Sequence, residues 1–340
     1  MLTDDARRAT SADLLDAGLV ARTSAVATIR EFTEPAPRGV GRVIDIRVLG
    51  GIDIEVLPDR GLDIGAAWFA GAPVSWTSPV GRAAPLDIAR GMDWLHRFNG
   101  GLLTTCGTDN VGPPTDRGGL HGRHSSLPAS DVRISRFRDA AATVCQVTGT
   151  LEDIEMFGRR VVVHRTIETR TDDPLVIIRD VVGNQGYAAT AIPLLYHVNF
   201  GAPLLMPGSR VHSGAEQLVE REPVPWLPDP LVLPEPFDAP TEAVFEHLGL
   251  PSEGGVSQVR VDSPGSDMAA VVSWSSASLP RLYQWVWPAR RGWALGIEPS
   301  NAALAGPDQA GPTGGAPVVE VGGSIVTEVS VRLVDTTSTA

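Results

Sequence analysis

The chain contains no lysine: all 28 of its basic residues are arginine. A Walker-type phosphate loop, a Schiff-base mechanism and a kinase signature each need a lysine, so none of the three is compatible with this sequence. Cysteine is nearly as scarce. Cys106 and Cys145 stand alone with no CxxC spacing, which argues against a disulfide framework or a cysteine-based zinc site. Basic clusters are missing too, and 40 acidic residues leave a formal net charge of −12, an unfavourable balance for nucleic acid or an anionic membrane. No apolar run approaches the ~18 residues of a membrane span. The first thirty residues carry acidic and arginine side chains rather than a signal-peptide core, so a soluble, cytoplasmic protein is expected. HExxH, GxGxxG, GxSxG and EF-hand patterns are all absent, and the enzyme classes they mark lose their support.

What is present is ordinary globular material, 43 % hydrophobic and 20 % charged over 340 residues. Thr10 to Leu19 reads as one short helix with Ser11 as its cap and Leu14, Leu15 and Leu19 on one face. After it the period changes. Val40–Leu49, Ile52–Leu57, Val161–Arg170, Leu175–Val182, Val256–Val261, Ala269–Trp274 and Ile325–Leu333 are β-branched runs, several of them alternating apolar with polar. Turn residues such as Gly50-Gly51 and Asp172-Asp173-Pro174 separate them, with no βαβ alternation. The pattern predicts an all-β fold, antiparallel, in one domain spanning residues 1–340 with a helical segment at 1–20. Two stretches do not read as strand. Pro79–Leu127 is rich in Gly, Asn, Asp and His, and Pro207–Pro240 carries eight prolines, predicting an excursion over the surface.

Chemistry-bearing residues cluster in a few places. Leu120-His121-Gly122-Arg123-His124 offers imidazoles between glycines that allow close backbone approach, or a turn with two solvated histidines. In Leu194–Gly201, alternation puts Leu195, His197 and Asn199 on one face; a His and an Asn on an apolar strand are costly to bury without partners. Glu298 ends the apolar run Trp293–Ile297, with Pro299 expected to stop the ladder; a carboxylate there gains a raised pKa suited to a general base, or begins a surface loop. Asp59-Arg60-Gly61-Leu62-Asp63 is either a hairpin corner with Arg60 paired to a carboxylate or part of a binding site. Asn99, Thr104, Thr105 and Asn110 form a polar stretch able to bond hydroxyls. Trp76, Trp94, Trp285 and Trp287 offer flat faces for sugar C–H edges, although each singly is more often core.

Taken together, Leu57–Ile64, Asn99–Leu103, Leu120-His121-Gly122, Tyr196–Gly201 and Gly296–Pro299 resemble the galactose mutarotase-like (aldose 1-epimerase) superfamily, within an aldose 1-epimerase-related branch that has its own motifs. The resemblance implies a large antiparallel β-supersandwich with a sugar site on the concave face of one sheet. By motif position it makes His197 the acid that protonates the ring oxygen, Glu298 the base that takes the anomeric proton, and His121 a second substrate-holding histidine. Arg60, Asp63, Asn99, His124, Asn199 and Trp285 complete the expected substrate contacts. The family's substrate-binding Asp has no clear motif here; Asp267 is the candidate by position. No metal or organic cofactor is implied. The expected partner is a small sugar or sugar derivative, with neither nucleic acid nor membrane; a homodimer is left open. A non-catalytic carbohydrate-binding protein, or another sugar isomerase or epimerase, is the alternative.

Overall fold

Strands form where β-branched residues alternate with polar ones, because alternate side chains leave opposite faces of a sheet. The computed structural model describes residues 9–36, 39–82, 90–238, 242–304 and 315–336. In chain order the strands of its two large sheets are β1 (Ala27–Ala36), β2 (Gly39–Val48), β3 (Ile52–Leu57), β4 (Asp63–Phe69), β5 (Leu103–Gly107), β6 (Ala129–Asp139), β7 (Ala142–Ile154), β8 (Arg160–Arg170), β9 (Asp173–Asn184), β10 (Leu194–Phe200), β11 (Arg210–His212), β12 (Gln217–Glu220), β13 (Ala243–Leu248), β14 (Val256–Asp262), β15 (Met268–Ser275), β16 (Arg281–Trp287), β17 (Ala294–Ser300) and β18 (Ser324–Asp335). The first sheet runs β1-β2-β3-β4-β5-β10-β17-β16-β13-β12, with Ala72–Pro73 added beside β4; the second runs β11-β14-β15-β18-β9-β8-β7-β6. The strand pairs of both are antiparallel, as the alternating pattern predicts.

The sheets pack face to face. Ile44, Ile46 and Ile54 of the first meet Val147, Leu151, Val163 and Ile178 of the second in one continuous core. Each of these side chains is removed from water, worth about 1.5–3 kcal/mol for a fully buried Val, Leu or Ile. The first sheet is covered on its other face as well. There Trp76, Trp94, Phe98, Cys106, Leu195, Val244 and Tyr283 form a second apolar cluster with the loops. Strands β10 and β17 lie in the middle of that sheet and are buried along their whole length.

Four expectations are corrected. The helix is α1 (Ser11–Asp16), and Thr10, not Ser11, caps it, through a reciprocal capping box with Asp13. The Ser11 hydroxyl instead bonds Thr171 and Asp172. Within 79–127, of which residues 83–89 lie outside the described set, Leu103–Gly107 is a strand; all five residues are buried, so no polar alternation marks it. The proline-rich stretch (described to residue 238) is no mere excursion: it supplies the edge strands β11 and β12, one to each sheet, and buries Val224, Leu227 and Leu233. Finally, β17 continues through Pro299 to Ser300, so Glu298 is a mid-strand residue.

One charged cluster crosses the core. Arg165 on β8 uses all five of its N–H donors: Nε and Nη2 on Asp180 (2.8 and 2.7 Å), Nη1 on Asp63 (2.7 Å) and the Gly61 carbonyl (3.0 Å), and Nη2 on the Thr105 hydroxyl (2.9 Å). Tyr196 donates to Asp180 at 2.6 Å. Burial opposes the charge on Arg165, but Asp180 and Asp63 outweigh it and hold the guanidinium ionised. For Asp63 burial prevails over Arg165, and its carboxyl is raised to about 6. Removing the cation would strand two buried carboxylates. Arg165→Leu is therefore expected to lower unfolding free energy by about 3–5 kcal/mol in a urea titration, whereas Glu328→Gln, at the exposed end of an ion pair with Arg179, should change it by less than about 1 kcal/mol.

Candidate functional site

His197 and Glu298 face each other because a proline interrupts the ladder between their strands. The pairing of β10 with β17 runs from Leu195↔Ser300 to Val198↔Ile297 and skips the two positions between. Pro299 has no N–H to give there. In that gap His197 Nε2 comes to 3.1 Å from Glu298 Oε1, at ion-pair distance but not aligned as a hydrogen bond. Both residues are 3–4 % exposed. His197 Nδ1 and the Asn199 Oδ1 beside it have no partner either, while Asn199 Nδ2 donates to the His197 carbonyl at 2.9 Å. Three polar atoms, on His197, Asn199 and Glu298, thus stand desolvated in one hollow with hydrogen-bonding capacity unused.

Aromatic rings wall this hollow. Phe98 lies 5.1 Å and Trp285 5.4 Å from the His197 ring; Trp94 stacks on Phe98 at 4.2 Å and packs against His121 at 4.7 Å. Trp76 contacts Phe98, Trp285 and Trp287. His121 is held in the left-handed region (φ 57°) by the turn ending at Gly122, where a Cβ would strike the carbonyls of Gly107 and Asn110 and the Asp109 carboxylate. That turn brings the His121 ring to 6.4 Å from His197. The floor of the hollow is Gly296, opposite Asn199: a Cβ there would lie 2.6 Å from Glu298 Oε1 and 2.9 Å from His197 Cε1. At the mouth, the Trp285 indole N–H donates to Glu242 (2.8 Å), which also accepts from Arg221 (2.7 Å).

Burial dominates the electrostatics. It lowers His197 to about 3, with nearby His121 reinforcing and the Asn199 amide opposing. It lowers His121 to about 4. It raises Glu298 to about 8, helped by the negative charge of Glu242 and opposed by Arg221. The 3.1 Å contact between His197 and Glu298 favours the opposite, ionised arrangement, so the two tautomers of the pair are brought closer in energy than burial alone would leave them. The pair as a unit holds one proton at neutral pH.

Of the residues singled out in the sequence, the structure gathers His197, Glu298, His121, Asn199 and Trp285. Asp63 and His124 sit elsewhere, on the far face of the sheet: Asp63 is bound by Thr105 and Arg165, and the His124 imidazole pairs with the Gly61 carbonyl at 3.3 Å, its pKa lowered to about 3 by burial and then by Arg165. Arg60 donates to the Arg97 carbonyl, and the Asn99 carbonyl accepts from the Ser78 N–H. Asp267 lies in the turn before β15, in the second sheet. Phe98, Arg221, Glu242 and the space above Gly296 were not visible in the sequence. Among the described residues, no group of three or more His, Cys, Asp or Glu is arranged to hold a metal, and no helix is long and apolar enough to cross a membrane.

The chain belongs to the family described as a domain of unknown function, DUF4432, whose model matches residues 38–333. Its fold is galactose mutarotase-like. A provisionally named aldose 1-epimerase of Klebsiella pneumoniae superimposes with a TM-score of 0.81 at 20 % identity, over 91 % of this chain and 84 % of that one. A galactose mutarotase-like protein of Clostridium acetobutylicum gives 0.60 at 13 % identity, over 90 % and 99 %. Galactose 1-epimerase from Lactobacillus acidophilus gives 0.55 at 9 %, over 91 % and 98 %. No curated protein matches the chain.

Two outcomes are expected from the geometry alone. In an NMR titration, the His197 and His121 imidazoles should stay neutral from pH 8 down to pH 5; a titration midpoint near ~6.5 for either would contradict their burial. Gly296→Ala should shift the His197 ring resonances, because the new methyl must displace His197 or Glu298.

Proposed function

We propose that the protein is a carbohydrate isomerase of the aldose 1-epimerase type, interconverting the anomers of a small sugar. The reading rests chiefly on one observation: a desolvated His–Glu pair 3.1 Å apart, at the floor of a hollow walled by tryptophan and phenylalanine. Opening a cyclic hemiacetal requires one proton delivered to the ring oxygen and one removed from the anomeric hydroxyl. His197 serves as the acid and Glu298 as the base. Aromatic faces suit the C–H edges of a sugar ring, and the unpartnered atoms of Asn199 and His197 suit its hydroxyls.

The proton inventory closes. The ion-paired tautomer, imidazolium and carboxylate, gives a proton to the ring oxygen from His197 while Glu298 accepts one from the hydroxyl on C1. The C1–O ring bond breaks and the C1 carbonyl forms. What remains in the protein is neutral imidazole and neutral carboxylic acid, the tautomer that burial favours. Rotation about C1–C2 presents the other face of the aldehyde, and the reverse transfers close the ring on it. His121 and Trp285 hold the ring in place, and Glu242 at the mouth receives a hydroxyl. No net charge is created at any stage, so a dry pocket is no obstacle.

Magnetisation-exchange NMR between α and β anomers of a panel of aldoses and ketoses tests this. Acceleration by the native protein is expected, with a loss of about 10²-fold or more in Glu298→Gln and His197→Asn. Activity needs the singly protonated pair, so kcat/KM should fall as pH rises through about 8, where Glu298 gives up the shared proton. Binding of a sugar without faster exchange would instead make the protein a carbohydrate-binding one.

A further inference from the structure

His121 stands in a loop folded around two adjacent side chains that take no part in the proposed reaction, Asp109 and Asn110, which are 4 % and 0 % exposed. The Asp109 carboxylate is gripped by backbone. Its Oδ1 accepts the N–H groups of Asn110 (3.0 Å) and Arg123 (2.8 Å), the second lying two residues beyond His121. Glycines on both sides of the histidine let the loop close on it: a Cβ on Gly118 would lie 2.5 Å from Oδ2, and one on Gly122 2.4 Å from Oδ1. The Asn110 amide, expected from the sequence to bond hydroxyls, is used inside the loop. Its Nδ2 donates to the carbonyls of Gly119 and Pro113, both at 2.8 Å, and so holds the chain two residues before His121.

Backbone bonds complete the clamp. The His121 N–H donates to the Gly112 carbonyl (3.0 Å), and the His121 carbonyl accepts from Gly107 at the end of β5 (2.9 Å). His121 itself has φ 57°, a conformation that a residue with a Cβ holds only under such constraint. The clamp sets its ring against Gly112, whose N–H is directed at His121 Nδ1 in a long contact of 3.5 Å. A neutral imidazole that accepts at one nitrogen carries its proton on the other. His121 is neutral because burial lowers it to about 4. Its proton is therefore on Nε2, and the ring offers a donor there rather than an acceptor.

We propose that Asp109 and Asn110 are positioning residues, holding His121 as the Nε2–H tautomer that donates a hydrogen bond to an oxygen of the sugar. The part His121 plays toward the sugar rests on the proposed function; its tautomer does not. Long-range proton–nitrogen correlation NMR on the native protein near neutral pH should show Nε2 protonated and Nδ1 bare. Asp109→Leu keeps the size of the side chain but offers no acceptor. It should move both His121 nitrogen shifts toward the average of the two tautomers and raise KM for anomer exchange roughly tenfold, with kcat changed by less than about twofold. Asp109→Asn, whose amide oxygen still accepts both N–H groups, should keep the native tautomer and KM. Circular dichroism checks the fold of both variants. The proton on Nδ1 in the native protein overturns the proposal. So does an Asp109→Leu variant with native nitrogen shifts and native KM, or one that loses kcat while keeping KM. Should the native protein accelerate no anomer exchange, the proposed function fails, while the nitrogen shifts still decide whether Asp109 sets the tautomer.

Discussion

Desolvation of an imidazole and a carboxyl side by side is the constraint around which this molecule is arranged. His197 and Glu298 are buried on strands that are themselves buried on both faces, and only a sandwich with a second apolar layer outside one sheet can do that. Burial by itself would leave both groups neutral and inert. The missing ladder bonds at Pro299 let the two side chains meet, and their proximity offsets the cost of charging them. The surrounding architecture is consistent with serving this balance: aromatic rings exclude water without offering competing donors, and Gly296 withholds a methyl group that would crowd the pair.

On the opposite face of the same strands the solution is the reverse. Tyr196 and Thr105, each one residue from a position facing the hollow, tie into the Arg165–Asp180–Asp63 cluster, where every arginine donor is satisfied. The middle of the first sheet is therefore pinned from below by a saturated polar network and left unsaturated above. Rigid support beneath unsatisfied groups is the arrangement a preorganised site needs, since groups that cannot relax toward each other remain available to a ligand.

Much of this was legible in the sequence because period-2 alternation survives wherever one face of a strand is wet. Val161–Arg170 shows it, with Val161, Val163, Arg165, Ile167 and Thr169 all inward. Legibility fails where both faces are dry. Leu103–Gly107 has two threonines and a cysteine inside the protein and so carries no alternation to read. Pro299 misleads for a related reason: proline is tolerated mid-sheet only where the ladder opens, and sequence alone does not show which ladders open. In the site, His197, Glu298 and His121 stood out through their flanking motifs. Glu242 and Arg221 did not, because they reach the mouth from segments distant in sequence. His124, only three residues after His121, is not among the residues gathered around His197. The left-handed turn at His121 and Gly122 sends the two imidazoles to opposite sides of the sheet.

The proline-rich segment has a bearing on how copies of this molecule can meet. It closes one edge of each sheet with a short strand, and outside one of these, β11, the Leu231 carbonyl accepts from the Val211 N–H at 2.8 Å. The remaining edges are β1 and β6, and these are tied to each other: Arg136 of β6 reaches the Ala27 carbonyl at 2.6 Å, and Arg138 reaches Asp16 in the helix at 3.0 Å. Edge-to-edge stacking is thus opposed at β11 by backbone already paired there, and at β1 and β6 by the arginines that tie them down. A further strand adding at these edges would have to displace those contacts first, which disfavours propagation of their ladders into fibres.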